Sequence, residues 1–227
     1  LEALLAARAD GADTVGGILG IEGAHPLEGD IRNLDTLEAA GYRLVALQHF
    51  FDNELGGSLH GSEKGGLTAF GRQAVLEMHE MDIMVDVAHS SEAVVRDVLA
   101  LSPEPVLISH GGLASFCPRT ANRNMPDDVL LEIARRGGII GIGYFDGAIC
   151  DISPKGIAQT LRAGVDLLGA DAVALGSDFD GTVTTALDTS ELAAITHALM
   201  EAGMEEDIIR KVMGGNVKRF FRENLPQ

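Results

Sequence analysis

Six short runs of β-branched and aliphatic residues recur along the chain, at Gly17 to Glu22, Arg43 to His49, Ile83 to His89, Pro105 to His110, Ile139 to Phe145 and Ala172 to Asp178. Each is continuously apolar instead of alternating, which is the pattern of a strand buried on both faces. Amphipathic stretches lie between and after them, at Thr68 to Met81, Ser91 to Leu101, Asp127 to Arg136, Ile157 to Leu168 and Ser190 to Ala202. A crossover between parallel neighbours needs about a dozen residues or more, a length that a helix fills well. The order therefore predicts an α/β fold, a parallel sheet with helices outside it, in a single domain over residues 1–227. Met125-Pro126-Asp127-Asp128 places a proline and two acids at one helix start, and Arg135-Arg136-Gly137 closes that helix, as the helix dipole favours.

A strand buried on both sides has little reason to carry a histidine or carboxylate except where it emerges into a loop. Five of the six runs finish on such a residue: Glu22, His49, His89, His110 and Asp178. In a (β/α)8 barrel all strands point the same way, so their carboxyl ends gather at one face. An open doubly wound sheet would spread them along a line, and no Gly-x-Gly-x-x-Gly turn is present to cradle a nucleotide. The barrel is preferred, and the five residues are expected to converge. His25, His60, His79 and His197 fall in loops or helices and read as surface or packing residues, although His60 sits in a Gly-rich loop that could cover the site.

Composition narrows the chemistry. The 227 residues carry 17 Lys+Arg against 34 Asp+Glu, a formal charge of −17, which argues against a nucleic-acid or anionic-membrane partner. No apolar run reaches the roughly 18–20 residues of a membrane span. The opening Leu1 to Arg8 lacks an initiator Met and the order of a signal peptide, and reads as the interior of a helix. Cys117 and Cys150, the only cysteines, are too few for a disulfide framework, and without a C-x-x-C a thiolate zinc site is excluded. A metal would be held by His, Asp and Glu, a donor set suited to zinc or a similar divalent ion at a hydrolytic centre. Such an ion lowers the pKa of bound water to about 7. An aspartate could take the water proton and pass it to a leaving amine. In Gly176-Ser177-Asp178-Phe179-Asp180-Gly181, Asp178 is assigned to the metal centre and Asp180 to the loop, since Gly181 indicates a turning chain.

The order of motifs resembles the membrane (renal) dipeptidase family, zinc peptidases of the amidohydrolase superfamily, most nearly a bacterial member. The stretches that carry the likeness are Gly20-Ile21-Glu22-Gly23, Leu47-Gln48-His49 with Asn53, Gly66 to Gly71, Asp86-Val87-Ala88-His89-Ser90-Ser91, Ile108-Ser109-His110, Arg123 to Asp128, Gly176 to Gly181, and Gly215-Asn216. The resemblance implies a metallodipeptidase that splits the amide of a small peptide bearing a free carboxylate, by a metal-activated hydroxide. It implies Glu22 as a carboxylate bridging two zinc ions, and His89 and His110 as ligands of one of them. Asp178 becomes the acid–base carboxylate beside the other ion, and His49 the residue that polarises the scissile carbonyl. Arg123 becomes the guanidinium that binds the substrate's terminal carboxylate, a task its bidentate fork suits. A homodimer is the oligomer the resemblance implies.

The family barrel opens with a strand carrying a His-x-Asp pair, and no His-x-Asp occurs in this sequence. With six strands where eight are needed, the first two strand–helix units are expected to be missing before Leu1, leaving ligands for one zinc ion in place of two. The alternatives are an amidohydrolase acting on another small amide, such as an N-acyl amino acid, and an inactive truncated barrel. Two cysteines permit cytoplasm or periplasm, with the cytoplasm favoured.

Overall fold

The computed structural model describes residues 1–118 and 123–226. Within them the apolar runs become six strands, β1 (Leu19–Ile21), β2 (Tyr42–Ala46), β3 (Met84–Asp86), β4 (Leu107–Gly111), β5 (Ile139–Ile142) and β6 (Val173–Leu175). They form one sheet in sequence order, and every neighbouring pair is parallel. Helix α1 (Glu2–Ala9) precedes β1. The crossovers are made in turn by α2 (Asn33–Ala39), α3 (Ala69–Glu80), α4 (Glu92–Leu101), α5 (Asp127–Arg135) and α6 (Pro154–Leu168). After β6 come α7 (Ala193–Glu201), α8 (Glu206–Arg210) and α9 (Asn216–Asn224). This is the order expected of six units of a (β/α)8 barrel wall, with β1 and β6 each having one neighbour in the sheet.

Local chemistry sets the helix starts. Thr68, Ser91 and Ser153 each turn a hydroxyl back onto an amide three residues on, satisfying a donor that the first turn leaves unpaired. The predicted strands exist, but their ladders are shorter than the apolar runs. Glu22 follows β1 directly, and His49, His89 and Asp178 each lie past the last ladder residue of their strand, so that only His110 stays within one.

Two apolar layers follow from alternation along each strand. Val45, Val85, Ile108, Ile140 and Val173 face the helices and join the main core with Val75, Met78, Val95, Ile133, Ile157 and Leu161. Met84, Leu107 and Ile139, at the starts of their strands, pack instead around Phe220 of α9, which is fully buried. The C-terminal helix thus closes the floor of the sheet, and the opposite, carboxyl ends of the strands remain for chemistry. Asn216, at the start of α9, donates from its Nδ2 to the carbonyls of Ala170 and Val173 at 2.7 and 2.8 Å, which pins this plug to β6.

One expectation needs correcting. The cysteine count speaks against a disulfide framework, yet Cys117 and Cys150 are bonded to each other across a sequence separation of 33. The bond ties the loop after β4 to the loop after β5, and Asn124 Nδ2 donates to the Ala148 carbonyl between the same two loops at 2.9 Å. A count cannot reveal a pair whose proximity is created by two adjacent parallel strands.

Candidate metal centre

The loops that leave the strands bring the predicted residues to one place. Glu22 Oε1 lies 2.9 Å from His89 Nε2 and 3.3 Å from His110 Nε2, and Glu22 Oε2 lies 3.4 Å from His49 Nε2. The Nε2 atoms of His89 and His110 are 2.9 Å apart, and Asp178 Oδ2 is 3.8 Å from His110 Nε2. Two groups of potential ligands share Glu22: Glu22, His49 and His89, and Glu22, His110 and Asp178. Within each, the donor atoms lie within 4.8 Å of one another. Nitrogen and oxygen donors that converge this closely, without thiolates, fit a divalent ion of the zinc type.

Backbone geometry explains the convergence. A Cβ at Gly176, just past β6, would meet the Ser109 carbonyl oxygen at 2.3 Å, so only glycine lets these strand ends close on each other. Asp178 itself takes φ 55°, and the Gly181 amide donates to its carbonyl at 2.9 Å, turning the chain back as the glycine suggests. Asp180 lies at the same rim but outside the two ligand groups. Asp86, buried on the inner face of β3, accepts from the amides of Ala88 and Ser109 with one oxygen, at 3.0 and 3.1 Å. It thereby couples the strand ends that carry His89 and His110. Ser90 Oγ donates to Gln48 Oε1 at 2.6 Å, joining the residues next to His89 and His49, and Ser58 Oγ donates to the His49 carbonyl.

The electrostatics separate the two carboxylates. The His89 hydrogen bond, with the nearby imidazoles, holds Glu22 down at about 2, so it is ionised. Burial, and then the charge of Glu22, pushes Asp178 up to about 6. Burial lowers His89, and burial together with the Arg123 charge lowers His110 to about 3, leaving both neutral with a lone pair free for a metal. Ser109 Oγ lies 2.9 Å from His110 Nδ1, orienting the ring so that Nε2 faces the centre.

Arg123 is partly buried beside this cluster, where its guanidinium donates to the carbonyls of Ala88 and His110 at 3.0 and 3.2 Å. Among the described residues no carboxylate reaches it as an ion pair. Sequence reasoning underrated His60. Its ring stands 5.3 Å from that of His89 and 4.8 Å from Phe50, and burial lowers its pKa to about 4. The Gly-rich loop brings this imidazole beside the site. His25, His79 and His197 stay outside the ligand groups.

Comparison with known proteins gives the family and the fold. A family model described as membrane dipeptidase, peptidase family M19, matches residues 2–225. The chain belongs to that family. It is 32% identical over 212 residues to Dipeptidase verJ of Clonostachys rogersoniana, covering 90% of this chain and 54% of that protein. It is 33% identical over 215 residues to Dipeptidase aclJ of Aspergillus oryzae, covering 90% and 50%. The chain thus spans about half the length of these curated relatives. Among solved structures, an amidohydrolase from Pseudomonas aeruginosa matches with a TM-score of 0.87 at 26% identity, over 97% of this chain and 76% of that one. A metallopeptidase from Rhodobacter sphaeroides, liganded with a phosphinate mimic of the dipeptide L-Ala-D-Ala, matches with a TM-score of 0.83 at 27% identity, over 98% and 67%. The sheet of this M19 chain is therefore an amidohydrolase barrel wall. Among the described residues, no helix is long and apolar enough to cross a membrane.

Proposed function

We propose that this M19 chain carries the metal centre of a zinc-dependent dipeptidase acting on small peptides with a free carboxylate. The observation that carries the reading is the meeting of Glu22, His49, His89, His110 and Asp178 at one rim with Arg123 beside them. Glu22, His89 and His110 would hold one ion, and Glu22 with Asp178 would face a second. Divalent ions in this donor set supply a water acidic enough to ionise near neutral pH and a positive charge for the carbonyl oxygen.

The side chains divide the remaining work. Arg123 receives the substrate's terminal carboxylate and so fixes which amide lies over the centre. Asp178 holds its proton to higher pH than an ordinary aspartate, and it takes the proton of the attacking water and returns it to the leaving amine. His49 donates to the carbonyl oxygen as negative charge gathers there. The Cys117–Cys150 bond would persist in a compartment that keeps thiols oxidised.

The full-length zinc-loaded protein should hydrolyse dipeptides with free carboxyl ends, lose that activity on chelation, and regain it when zinc is restored. Undiminished turnover in metal-free protein would refute the reading. Equal rates on carboxyl-amidated dipeptides would point instead to a general small-amide hydrolase.

A further inference from the structure

A covalent tie stands a few residues before Arg123 along the chain, at Cys117. Both lie in the connection from β4 to α5, residues 112–126, whose described residues belong to no strand or α-helix. A segment of this kind has no backbone ladder to fix it and depends on ties to its neighbours. Two of its ties reach one short stretch of the next connection, from β5 to α6. Cys117 is bonded to Cys150, and Asn124, next to Arg123, donates from its Nδ2 to the Ala148 carbonyl at 2.9 Å. One tie precedes Arg123 and the other follows it.

The two cysteines differ in access. The Cys117 amide donates to the Leu113 carbonyl at 3.0 Å, closing a turn in which Cys117 is 1% exposed, whereas Cys150 lies at the surface. The Arg123 guanidinium rests on two main-chain carbonyls, those of Ala88 and His110, so a shift of its own backbone would carry it off the place where a carboxylate is met. The metal ligands lie outside the clasped segment. Glu22, His49, His89 and Asp178 follow β1, β2, β3 and β6, and His110 belongs to the ladder of β4 itself.

We propose that the Cys117–Cys150 bond is a redox clasp on Arg123. Closed, it holds the guanidinium where the substrate's carboxylate docks; opened by a dithiol, it weakens that docking and leaves the metal centre intact. The inference rests on the dipeptidase reading, in which Arg123 receives the terminal carboxylate. A thiolate of the dithiol attacks the Cys150 sulfur, forms a mixed disulfide and expels the Cys117 thiolate, which takes up a proton. The second thiol of the reductant then displaces the Cys150 thiolate, which is protonated in turn. The protein gains two electrons and two protons, and the dithiol leaves as a disulfide. Packing and hydrogen bonds such as that of Asn124 then hold the connection without the covalent tie.

The test reduces the full-length zinc-loaded protein with a dithiol, removes the reductant without air, and counts free thiols by mass spectrometry of an alkylated portion. For Ala-Ala, in both configurations of the second residue, KM should rise about tenfold on reduction while kcat stays within about twofold. Zinc content and the rate on carboxyl-amidated Ala-Ala should not change, and reoxidation should restore KM. These controls matter because the β5–α6 connection also carries Phe145, whose ring stands 6.2 Å from that of His110. Cys117→Ser combined with Cys150→Ser should show the raised KM from the start and ignore the dithiol. Should that variant fail to fold, the reversible change in the unmodified protein decides the matter alone. A KM unmoved with both thiols free, a bond that no dithiol opens in the folded protein, loss of zinc on reduction, or an equal effect on the amidated substrate would overturn the clasp. Hydrolysis by the oxidised protein would in each case leave the dipeptidase reading standing. Failure of the oxidised protein on every dipeptide would overturn both.

Discussion

Asp178→Asn is expected to lower kcat by about a thousandfold, within the range for loss of a general acid–base group, with KM nearly unchanged and zinc retained. The substitution is close to isosteric, and asparagine tolerates the left-handed backbone at φ 55° as well as aspartate does, so the turn sealed by the Gly181 amide survives. What disappears is the proton shuttle. The Asp178 carboxyl sits at about 6 because burial and the Glu22 charge oppose its ionisation, whereas the Glu22 carboxylate is held ionised by the imidazoles. Environments that push two carboxyls apart in this way mark different roles for them. Steady-state kinetics with metal analysis on the same sample checks the prediction. A fall of less than tenfold with zinc in place would remove Asp178 from the chemistry.

Arg123→Ala is expected to raise KM for free-carboxyl dipeptides by about a hundredfold, the order lost when a desolvated charge pair loses one partner. Its guanidinium lacks an ion-pair partner among the described residues, although burial lowers its pKa and Asp178, Asp86 and Glu22 raise it from a distance. An unpaired cation in such a place is poised for an anion from solution. Arg123 also donates to the Ala88 and His110 carbonyls, so truncation could loosen the histidines as well. Two readouts separate these effects. Zinc content reports on the histidines, and a carboxyl-amidated dipeptide, which offers nothing to the guanidinium, should be cleaved at similar rates by both proteins. Arg123→Lys should recover only part of the loss, since a point charge replaces a two-pronged donor.

Much of the scaffold was legible because burial on both faces leaves a plain mark. Each continuous apolar run became a strand, and a histidine or carboxylate ending such a run had one physical reason to be there. Glu22, His49, His89, His110 and Asp178 could therefore be picked out far apart in sequence and found together in space. The ladder ends were less legible, because β1 has a single neighbour and Leu19 remains 53% exposed where a central strand residue would be covered. Nonlocal contacts hid the rest. His60 reaches His89 only because Asp52 and Ser58 fold the intervening loop back over the rim. Asp86 reads as a stray polar residue inside an apolar run until its oxygen is seen bridging the Ala88 and Ser109 amides. The Cys117–Cys150 pair likewise depends on which loops the parallel order makes neighbours.

The account stands on a divalent ion held by imidazole and carboxylate at the rim of β1, β3 and β4. Zinc-edge X-ray absorption on the full-length zinc-loaded protein tests it directly. The account predicts nitrogen and oxygen neighbours at about 2.0–2.2 Å, a distinct imidazole scattering pattern, and loss of bound zinc with that pattern in His89→Ala and His110→Ala. A sulfur shell near ~2.3 Å, or a spectrum and zinc content unchanged by both substitutions, would contradict it.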